Sequence, residues 1–233
     1  MAHRVVIDCF AESVDAYRDG YAVVAVDVFR STTTAVTAAA RGFKVYPAES
    51  LDAALELARR LPEPLLAGEL GGSMPFGFDV QNSPAEFDRR NDTMRPLVLL
   101  STSGTGLIVG ARGAESVYVA CLRNLHAQVA TAARHERVAV IGAGTRGEFR
   151  EEDQLCCAWI AGALVDAGFD ADSRTLELVE RWRASPVEAI VDSDSAEYLR
   201  RSGQEEDLQF VLSHVDDVDA VFVLGEDGAI LRR

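Results

Sequence analysis

Asp27 and Arg30 stand at the end of an apolar run, directly before four hydroxyl residues that open an alanine-rich stretch. Arginine can donate paired hydrogen bonds to a phosphate, and the first backbone N–H groups of a helix attract anions. A carboxylate beside a phosphate is typical of a magnesium ligand or of a nucleophile. These residue types indicate a site for a phosphorylated anion at a strand-to-helix junction. The alternative is a helix capped by Ser31 or Thr32, with Asp27 solvated at the strand end.

Two other segments carry polar groups that suit the same chemistry. The turn Ser101-Thr102-Ser103-Gly104-Thr105-Gly106 combines hydroxyl groups with glycine N–H groups, the parts of an anion-binding nest, although a flexible polar turn has the same composition. The long loop over residues 69–83 carries Glu69 and Asp79, and its two phenylalanines and one methionine argue against disorder. Those acids could also be solvated loop residues. If the strand ends share one edge of a sheet, these groups converge on it.

The sequence Gly142-Ala143-Gly144-Thr145-Arg146-Gly147 satisfies the GxGxxG pattern of dinucleotide sites. Acids crowd the following turn and would repel a pyrophosphate: Glu148, Glu151, Glu152 and Asp153. Residues 170–172, where a ribose-binding acid would end a strand, do not look like a strand. We interpret the segment as a tight turn that presents the acids, and a nucleotide-dependent oxidoreductase is the remote alternative.

Residues 192–196 imitate the DxDx(T/V) loop of haloacid-dehalogenase-type phosphatases, after a weak predicted strand at residues 189–191. The fifth position is Ala196, and the later lysine that such enzymes need is missing, because Lys44 lies far upstream. A solvated turn with helix-capping acids is the better interpretation.

The composition limits the partners of this 233-residue chain. A formal net charge of −14 argues against sequence-independent binding to nucleic acid or to anionic membranes. Only one of the 23 basic residues is lysine, so an anion would be bound by arginines, helix N-termini or a divalent metal. The four cysteines form no CxxC pair, and neither a signal peptide nor a membrane-spanning run is evident. We expect a cytoplasmic protein whose partner is a small phosphorylated anion; a homodimer is an open expectation.

Apolar runs alternate with helical patterns, which predicts an α/β fold: a layered, mainly parallel or mixed sheet with helices on both faces. We divide the chain into an N-terminal α/β half, residues 1–122, which carries most of the site motifs, and a C-terminal α/β half, residues 123–233. The two halves could also form one compact unit. Predicted strands cover residues 4–8, 22–27, 44–47, 65–68, 97–101, 116–120, 137–141 and 220–224. Predicted helices cover residues 32–41, 51–60, 107–112, 125–135 and 151–167.

Six segments, in this order, resemble the 2-phosphosulfolactate phosphatase (ComB) family: AVDVFRSTTTAVTAA, AGELGG, GFDVQNSPAEF, LLSTSGTG, LRN and EEDQLCCA. The resemblance runs from about Val24 to Ala158. It implies a magnesium-dependent acid phosphatase that converts 2-phosphosulfolactate to sulfolactate, a step toward coenzyme M. It also implies catalytic roles for Asp27 and Arg30, and a Mg²⁺ held by Asp27, Asp79 and Glu69. The implied substrate-binding residues are Ser31, Thr32, Thr33, Asn82, Ser83, Ser101, Thr102, Ser103, Gly104, Thr105, Asn124, Glu152 and Asp153.

Three segments depart from the family pattern. Leu70 stands where the family usually has an arginine that could serve a second anion such as a sulfonate. The turn STSGT replaces TTNGT, which puts Ser103 in place of an asparagine, and Gly142 replaces a cysteine. These departures bear more on the substrate than on the reaction class. The predicted function is hydrolysis of a small phosphorylated 2-hydroxy acid, and the alternative is a catalytically silent sensor of a phosphorylated metabolite.

Overall fold

The computed structural model describes residues 3–233, and over these residues ten strands form one mixed sheet in the order β4-β5-β3-β10-β9-β6-β2-β7-β1-β8. The strands are β1 (Arg4–Cys9), β2 (Ala22–Val26), β3 (Val45–Ala48), β4 (Leu65–Gly68), β5 (Leu97–Leu100), β6 (Ser116–Ala120), β7 (Arg137–Gly142), β8 (Asp170–Ala171), β9 (Phe222–Leu224) and β10 (Ile230–Arg232).

Nine α-helices occur in the same described residues: α1 (Ser31–Arg41), α2 (Leu51–Arg60), α3 (Pro84–Arg89), α4 (Gly104–Gly110), α5 (Leu125–Ala132), α6 (Glu151–Asp166), α7 (Ser173–Trp182), α8 (Asp194–Arg201) and α9 (Glu205–Ser213). Short 3-10 helices cover Ala11–Tyr17, Leu122–Asn124 and Val187–Ile190. None of the helices within residues 3–233 has both the length and the apolar character to cross a membrane.

The sheet consists of two parallel groups joined by an antiparallel hairpin. Strands β4, β5 and β3 run parallel to one another, and so do β6, β2, β7, β1 and β8. The hairpin β9–β10 pairs antiparallel with β6 on one side and with β3 on the other, so the two groups point in opposite directions along the sheet. A right-handed twist of roughly 20–25° per strand reaches about 100° over the steps from β5 to β2. This accumulated twist lets the carboxyl ends of β2 and β5 approach each other.

Helices cover both faces of the sheet. Strand β2, with the sequence AVVAV, is buried along its whole length, because valine and alanine side chains pack on both faces of a central parallel strand. On one face, Val23 and Ala25 pack in a cluster with Val36 of α1 and Leu107 of α4. On the other face, Val24 and Val26 belong to a cluster with residues of α6 and α7. The side chains that leave β2 at its end are therefore held by a rigid scaffold.

Helices α8 and α9 pack beside the end of β2. Ala196 and Leu199 of α8 form a small cluster with Leu208 of α9, and Phe29 packs against it. Because Phe29 lies between Asp27 and Arg30 in the chain, this contact brings the C-terminal helices to the β2–α1 junction.

The predicted layered α/β class is confirmed, and strands and helices from both halves of the sequence contribute to the one sheet and its layers. Helix α4 begins at Gly104, before the predicted start at residue 107, because the hydroxyl- and glycine-rich turn is already helical. Two predictions were wrong. Residues 189–191 are not a strand: they end a 3-10 helix that follows Pro186. Residues 170–171, interpreted as non-strand, form the edge strand β8 by pairing with Arg4 and Val5.

Candidate active site

A cavity of about 400 Å³ opens beside the carboxyl ends of β2, β4 and β5 and the turn that follows β7. That volume is in the range of small-molecule sites. Polar and charged side chains from six separate segments line it, together with Phe29, Leu199 and two glycines: Asp27, Phe29, Arg30, Glu69, Gly71, Gly72, Asn82, Thr102, Ser103, Thr145, Arg146, Arg150, Asp194, Ser195, Glu197, Tyr198, Leu199 and Arg201.

The β2–α1 turn fixes Asp27 at the cavity wall. Thr32 Oγ1 accepts a hydrogen bond from the Asp27 backbone N–H at 2.8 Å and donates to the Asp27 carbonyl at 2.8 Å. Thr33 Oγ1 donates to the Val28 carbonyl at 2.8 Å, and the Ser31 N–H donates to Asp27 Oδ1 at 3.3 Å. The buried hydroxyl residues therefore brace the backbone of this turn, and the Asp27 carboxyl faces the cavity.

Two buried acids at the start of α6 lie behind Asp27. Asp153 accepts hydrogen bonds from the backbone N–H groups of Val28, at 2.8 Å, and Gly144, at 3.4 Å, which ties α6 to both strand-end turns. Neighbouring Glu152 is also buried, and its Oε2 has no hydrogen-bond partner in the described structure. The glycine turn after β7 is a tight turn followed by these acids, which are buried behind Asp27 and do not line the cavity.

The acids raise one another's pKa values. Burial, and then the charge of Glu69, raise the pKa of Asp27 from 3.8 to about 7. The pKa of Asp153 is raised well above its ordinary value by burial and by the charges of Asp27 and Glu152, and burial raises the pKa of Glu152. The cluster therefore holds a proton near neutral pH or accepts a cation in its place.

The donor set of this cluster fits Mg²⁺, a hard cation that prefers oxygen ligands. Within residues 3–233, no three His, Cys, Asp or Glu side chains are grouped closely enough to surround a metal ion. Protein-bound Mg²⁺ usually keeps waters and uses one or two carboxylates together with substrate phosphate oxygens. Asp27 meets that requirement because its carboxyl lines the cavity, and the unpartnered Glu152 Oε2 is a second oxygen in need of a partner.

Arg30 is buried and forms an ion pair with Asp207 of α9, with Nη1 and Oδ2 at 2.5 Å. Asp207 also accepts hydrogen bonds from Ser83 Oγ at 2.6 Å and from the Ala85 N–H at 3.2 Å. Ser83 in turn caps α3 by accepting from the Glu86 N–H. The guanidinium lines the cavity, so Asp207 orients Arg30 while other N–H groups of the side chain face a ligand.

Glu69 joins the long loop to the second hydroxyl-rich turn. Its carboxylate accepts from the Thr102 N–H at 2.7 Å, from Thr102 Oγ1 at 2.8 Å and from the Gly72 N–H at 2.7 Å. Ser101 and Thr105 close the turn reciprocally, because each side-chain oxygen accepts from the other residue's backbone N–H at 2.9 Å. Thr102 and Ser103 are left at the cavity wall.

The structure brings together six of the side chains that the sequence marked: Asp27, Arg30, Glu69, Asn82, Thr102 and Ser103. Gly104 lies directly beneath them, since a Cβ added there would be 2.3 Å from Asp27 Oδ2. Ser31 is buried next to it and its Oγ has no partner in the described structure. Asn82 is buried with its Oδ1 likewise unpartnered.

The other expected site residues do not line the cavity: Ser31, Thr32, Thr33, Asp79, Ser83, Ser101, Gly104, Thr105, Asn124, Glu152 and Asp153. Most of them brace the turns around it, whereas Asp79 and Asn124 serve other parts of the structure. Asp79 does not line the cavity: its half-exposed carboxylate accepts from the Leu66 N–H at 2.9 Å and lies 3.9 Å from Arg95. This placement differs from the expectation that Asp79 shares a metal with Asp27. Asn124 also lies outside the cavity lining, and its side chain holds the turn after β6 by bonding Cys121 N and Val119 O.

Sequence reasoning missed one side of the cavity, which α8 and the turn after β7 form. Tyr198 packs against Gly72, where an added Cβ would be 1.8 Å from the phenol oxygen. The motif with Asp192 and Asp194 opens α8, but the capping side chain is Ser193 and not one of the predicted acids, because Ser193 Oγ accepts from the Ala196 N–H. Asp194 nevertheless lines the cavity. The amphipathic spacing of Ala196 and Leu199 was the available sign that this segment packs as a helix.

A comparison with known proteins finds one family model, described as 2-phosphosulpholactate phosphatase, that matches residues 9–227. Several similar proteins carry the name "Probable 2-phosphosulfolactate phosphatase". The one from Pseudothermotoga lettingae is 33% identical over 206 residues, 88% of this chain and 89% of the relative. The one from Symbiobacterium thermophilum is 36% identical over 82% of this chain and 86% of its own length. The one from Thermus thermophilus is 34% identical over 89% of each chain.

Proposed function

Because the chain belongs to the 2-phosphosulpholactate phosphatase family, we propose that it is a magnesium-dependent phosphatase that hydrolyses a small phosphorylated 2-hydroxy acid. The first candidate substrate is 2-phosphosulfolactate, which gives sulfolactate and phosphate; the names of the relatives support this choice. The observation that carries the proposal is the juxtaposition of the Asp27 carboxyl, whose pKa is about 7, with the buried guanidinium of Arg30 in one cavity.

In the proposed reaction, Arg30 and the N–H and hydroxyl groups of Ser103 bind the phosphoryl oxygens. Asp207 orients Arg30, and Glu69 fixes the neighbouring Thr102 by accepting both of its donors, so the binding groups stabilise the charge of the transition state without reorganising. Asp27 either attacks phosphorus to give an acyl phosphate or accepts a proton from the attacking water, and a pKa near 7 suits the second role.

Mg²⁺, if bound by Asp27 with Glu152 nearby, would supply positive charge opposite the phosphoryl oxygens. The fit of Mg²⁺ to this site rests on the buried carboxyl cluster and on the unpartnered Glu152 oxygen. Without a cation, burial raises the pKa values of these acids, because desolvation disfavours the charged form.

The test is phosphate release by the purified protein from a panel of phosphorylated 2-hydroxy acids, with Mg²⁺ and with EDTA. We expect turnover of 2-phosphosulfolactate that EDTA abolishes and added Mg²⁺ restores. Asp27→Asn should lower kcat by at least about 100-fold, the scale of one acid–base group, whereas the matched exposed variant Asp19→Asn should retain activity. Absence of phosphate release from the whole panel would refute the enzyme, and tight EDTA-insensitive binding without turnover would favour the sensor.

A further inference from the structure

The turn after β7 places one arginine of unusual backbone geometry at the cavity. Thr145 and Glu148 are bonded to each other through both backbone N–H groups, at 2.9 and 3.1 Å, so Arg146 and Gly147 are the two central residues of a tight hairpin turn. Both have positive φ, 55° and 78°. Type I′ turns with this geometry favour Asn or Gly at the first central position, and an arginine is disfavoured there. The geometry of the turn therefore does not explain why residue 146 is an arginine.

Arg146 also differs from the other arginines of the cavity in its ion pairs. Arg30 is paired with Asp207, Arg150 with Glu148 at 2.9 Å, and Arg201 with Glu197. No carboxylate of residues 3–233 lies within 4.0 Å of the Arg146 guanidinium, although this side chain lines the cavity. Its positive charge is thus available to a ligand in a protein whose net charge is −14.

We propose that Arg146 binds the second acidic group of the substrate, a singly charged sulfonate or carboxylate, and thereby sets the specificity for phosphorylated acids over simple phosphate esters. The proposal rests on the proposed function, because it assigns the phosphoryl group to the Arg30 and Thr102–Ser103 part of the same cavity. Leu70 occupies the position where the resemblance expects an arginine, and its side chain is exposed and absent from the cavity wall. The second cation of the site therefore comes from a different segment.

Arg146→Asn is the variant of choice, since asparagine suits the positive φ of the turn and removes the charge without a folding penalty. The control is Arg59→Gln, which removes one charge from an exposed position of α2. For 2-phosphosulfolactate we expect Arg146→Asn to raise KM about 10- to 100-fold, the size of one charge-assisted hydrogen bond, with kcat changed less than about twofold. For 2-phospholactate, which has the carboxylate but no sulfonate, the same rise is expected if Arg146 binds the carboxylate and none if it binds the sulfonate. For glycerol 2-phosphate, which has no second acid, KM should stay within about twofold. Comparison of the two acidic substrates identifies whether the sulfonate or the carboxylate is bound.

A binding measurement separates this inference from the phosphatase proposal. Sulfolactate, which has no phosphoryl group, should raise the Tm of the wild-type protein and of Arg59→Gln but not that of Arg146→Asn. Inorganic phosphate should raise the Tm of all three. If no substrate is turned over but this pattern holds, the phosphatase proposal fails and the anion site stands. If sulfolactate stabilises Arg146→Asn as well as the wild type, or if Arg59→Gln loses the same response, the assignment of Arg146 is wrong.

Discussion

The Asp27 carboxyl is exposed to a cavity on one side and to buried acids on the other. Burial and Glu69 raise its pKa to about 7, and Asp27 in turn helps to raise the pKa of Asp153. One site therefore contains both a group that can exchange a proton near neutral pH and an environment that opposes a second negative charge. Such strongly shifted values cluster at functional sites.

The shifted pKa predicts how stability depends on pH in the metal-free protein. The Asp27 carboxyl ionises near pH 3.8 when unfolded and near pH 7 when folded, so its contribution to stability is full below pH 3.8 and is lost as pH rises through 7. Asp27→Asn has no charge to bury. At pH 8 it should be more stable than the wild type, by at most about 4 kcal/mol for a shift of about 3 pKa units at about 1.4 kcal/mol each, and the difference should disappear toward pH 4.

Thermal unfolding in EDTA at pH 4, 6 and 8 measures this difference, with Asp19→Asn as the exposed control. A pH-independent difference between Asp27→Asn and the wild type would mean that folding does not raise the pKa of Asp27.

Helix ends from distant parts of the chain meet at the site. Helix α1 provides the turn around Asp27, α4 the Thr102–Ser103 turn, α6 the buried acids and α8 the wall with Tyr198. The contact between α4 and the β2–α1 junction is the tightest of these, because Gly104 leaves no room for a side chain beside Asp27 and Ser31.

Two glycines of α4 provide a matched pair for testing this contact. A Cβ at Gly104 would be 2.3 Å from Asp27 Oδ2 and 2.7 Å from Ser31 Cβ, so Gly104→Ala should displace Asp27 and lower kcat about 100-fold. No atom lies within 4 Å of a Cβ at Gly106. Gly106→Ala should keep full activity and gain up to about 1 kcal/mol of stability from helix propensity. Steady-state kinetics and urea unfolding measure both effects, and equal activity of the two variants would contradict the proposed position of Asp27.

At the scale of the whole molecule, the hairpin β9–β10 connects two parallel groups of strands. Ile230 of β10 is buried and pairs with Val45 of β3, in one group. It also pairs with Leu224 of β9, the strand that pairs with β6 of the other group. Since the site takes residues from both groups, its geometry depends on this short connection, which comes from the end of the chain.

Ile230→Ala should destabilise the protein by about 3 kcal/mol, the usual cost of truncating a buried isoleucine. Leu231→Ala, at the partly exposed neighbouring position, should cost less. Because the hairpin joins the groups, we expect each variant to unfold in one transition. Urea unfolding followed by far-UV circular dichroism and by the fluorescence of Trp159 and Trp182 tests this expectation. Separate transitions would instead indicate that the β4–β5–β3 group and the β6–β2–β7–β1–β8 group unfold as independent units.

The sequence predicted a strand or helix well where the residue pattern depends on that element alone. The run AVVAV is apolar throughout and forms a fully buried strand, and α2 covers the predicted residues 51–60. The short edge strand at residues 170–171 and the 3-10 helix at Val187–Ile190 carry no such periodicity. Their conformations follow from pairing with β1 and from the proline that precedes the helix.

The residue types at the strand ends determined that this chain carries acids, hydroxyls and an arginine suited to a phosphorylated anion. They did so because strand–turn–helix junctions are local and their chemistry can be read from consecutive residues. Only the tertiary structure paired Arg30 with Asp207, 177 residues away, moved Asp79 out of the cavity wall and brought Arg146 and α8 into it. These arrangements depend on sheet twist and helix packing. Both result from contacts between residues that are far apart in the sequence, so no local pattern encodes them.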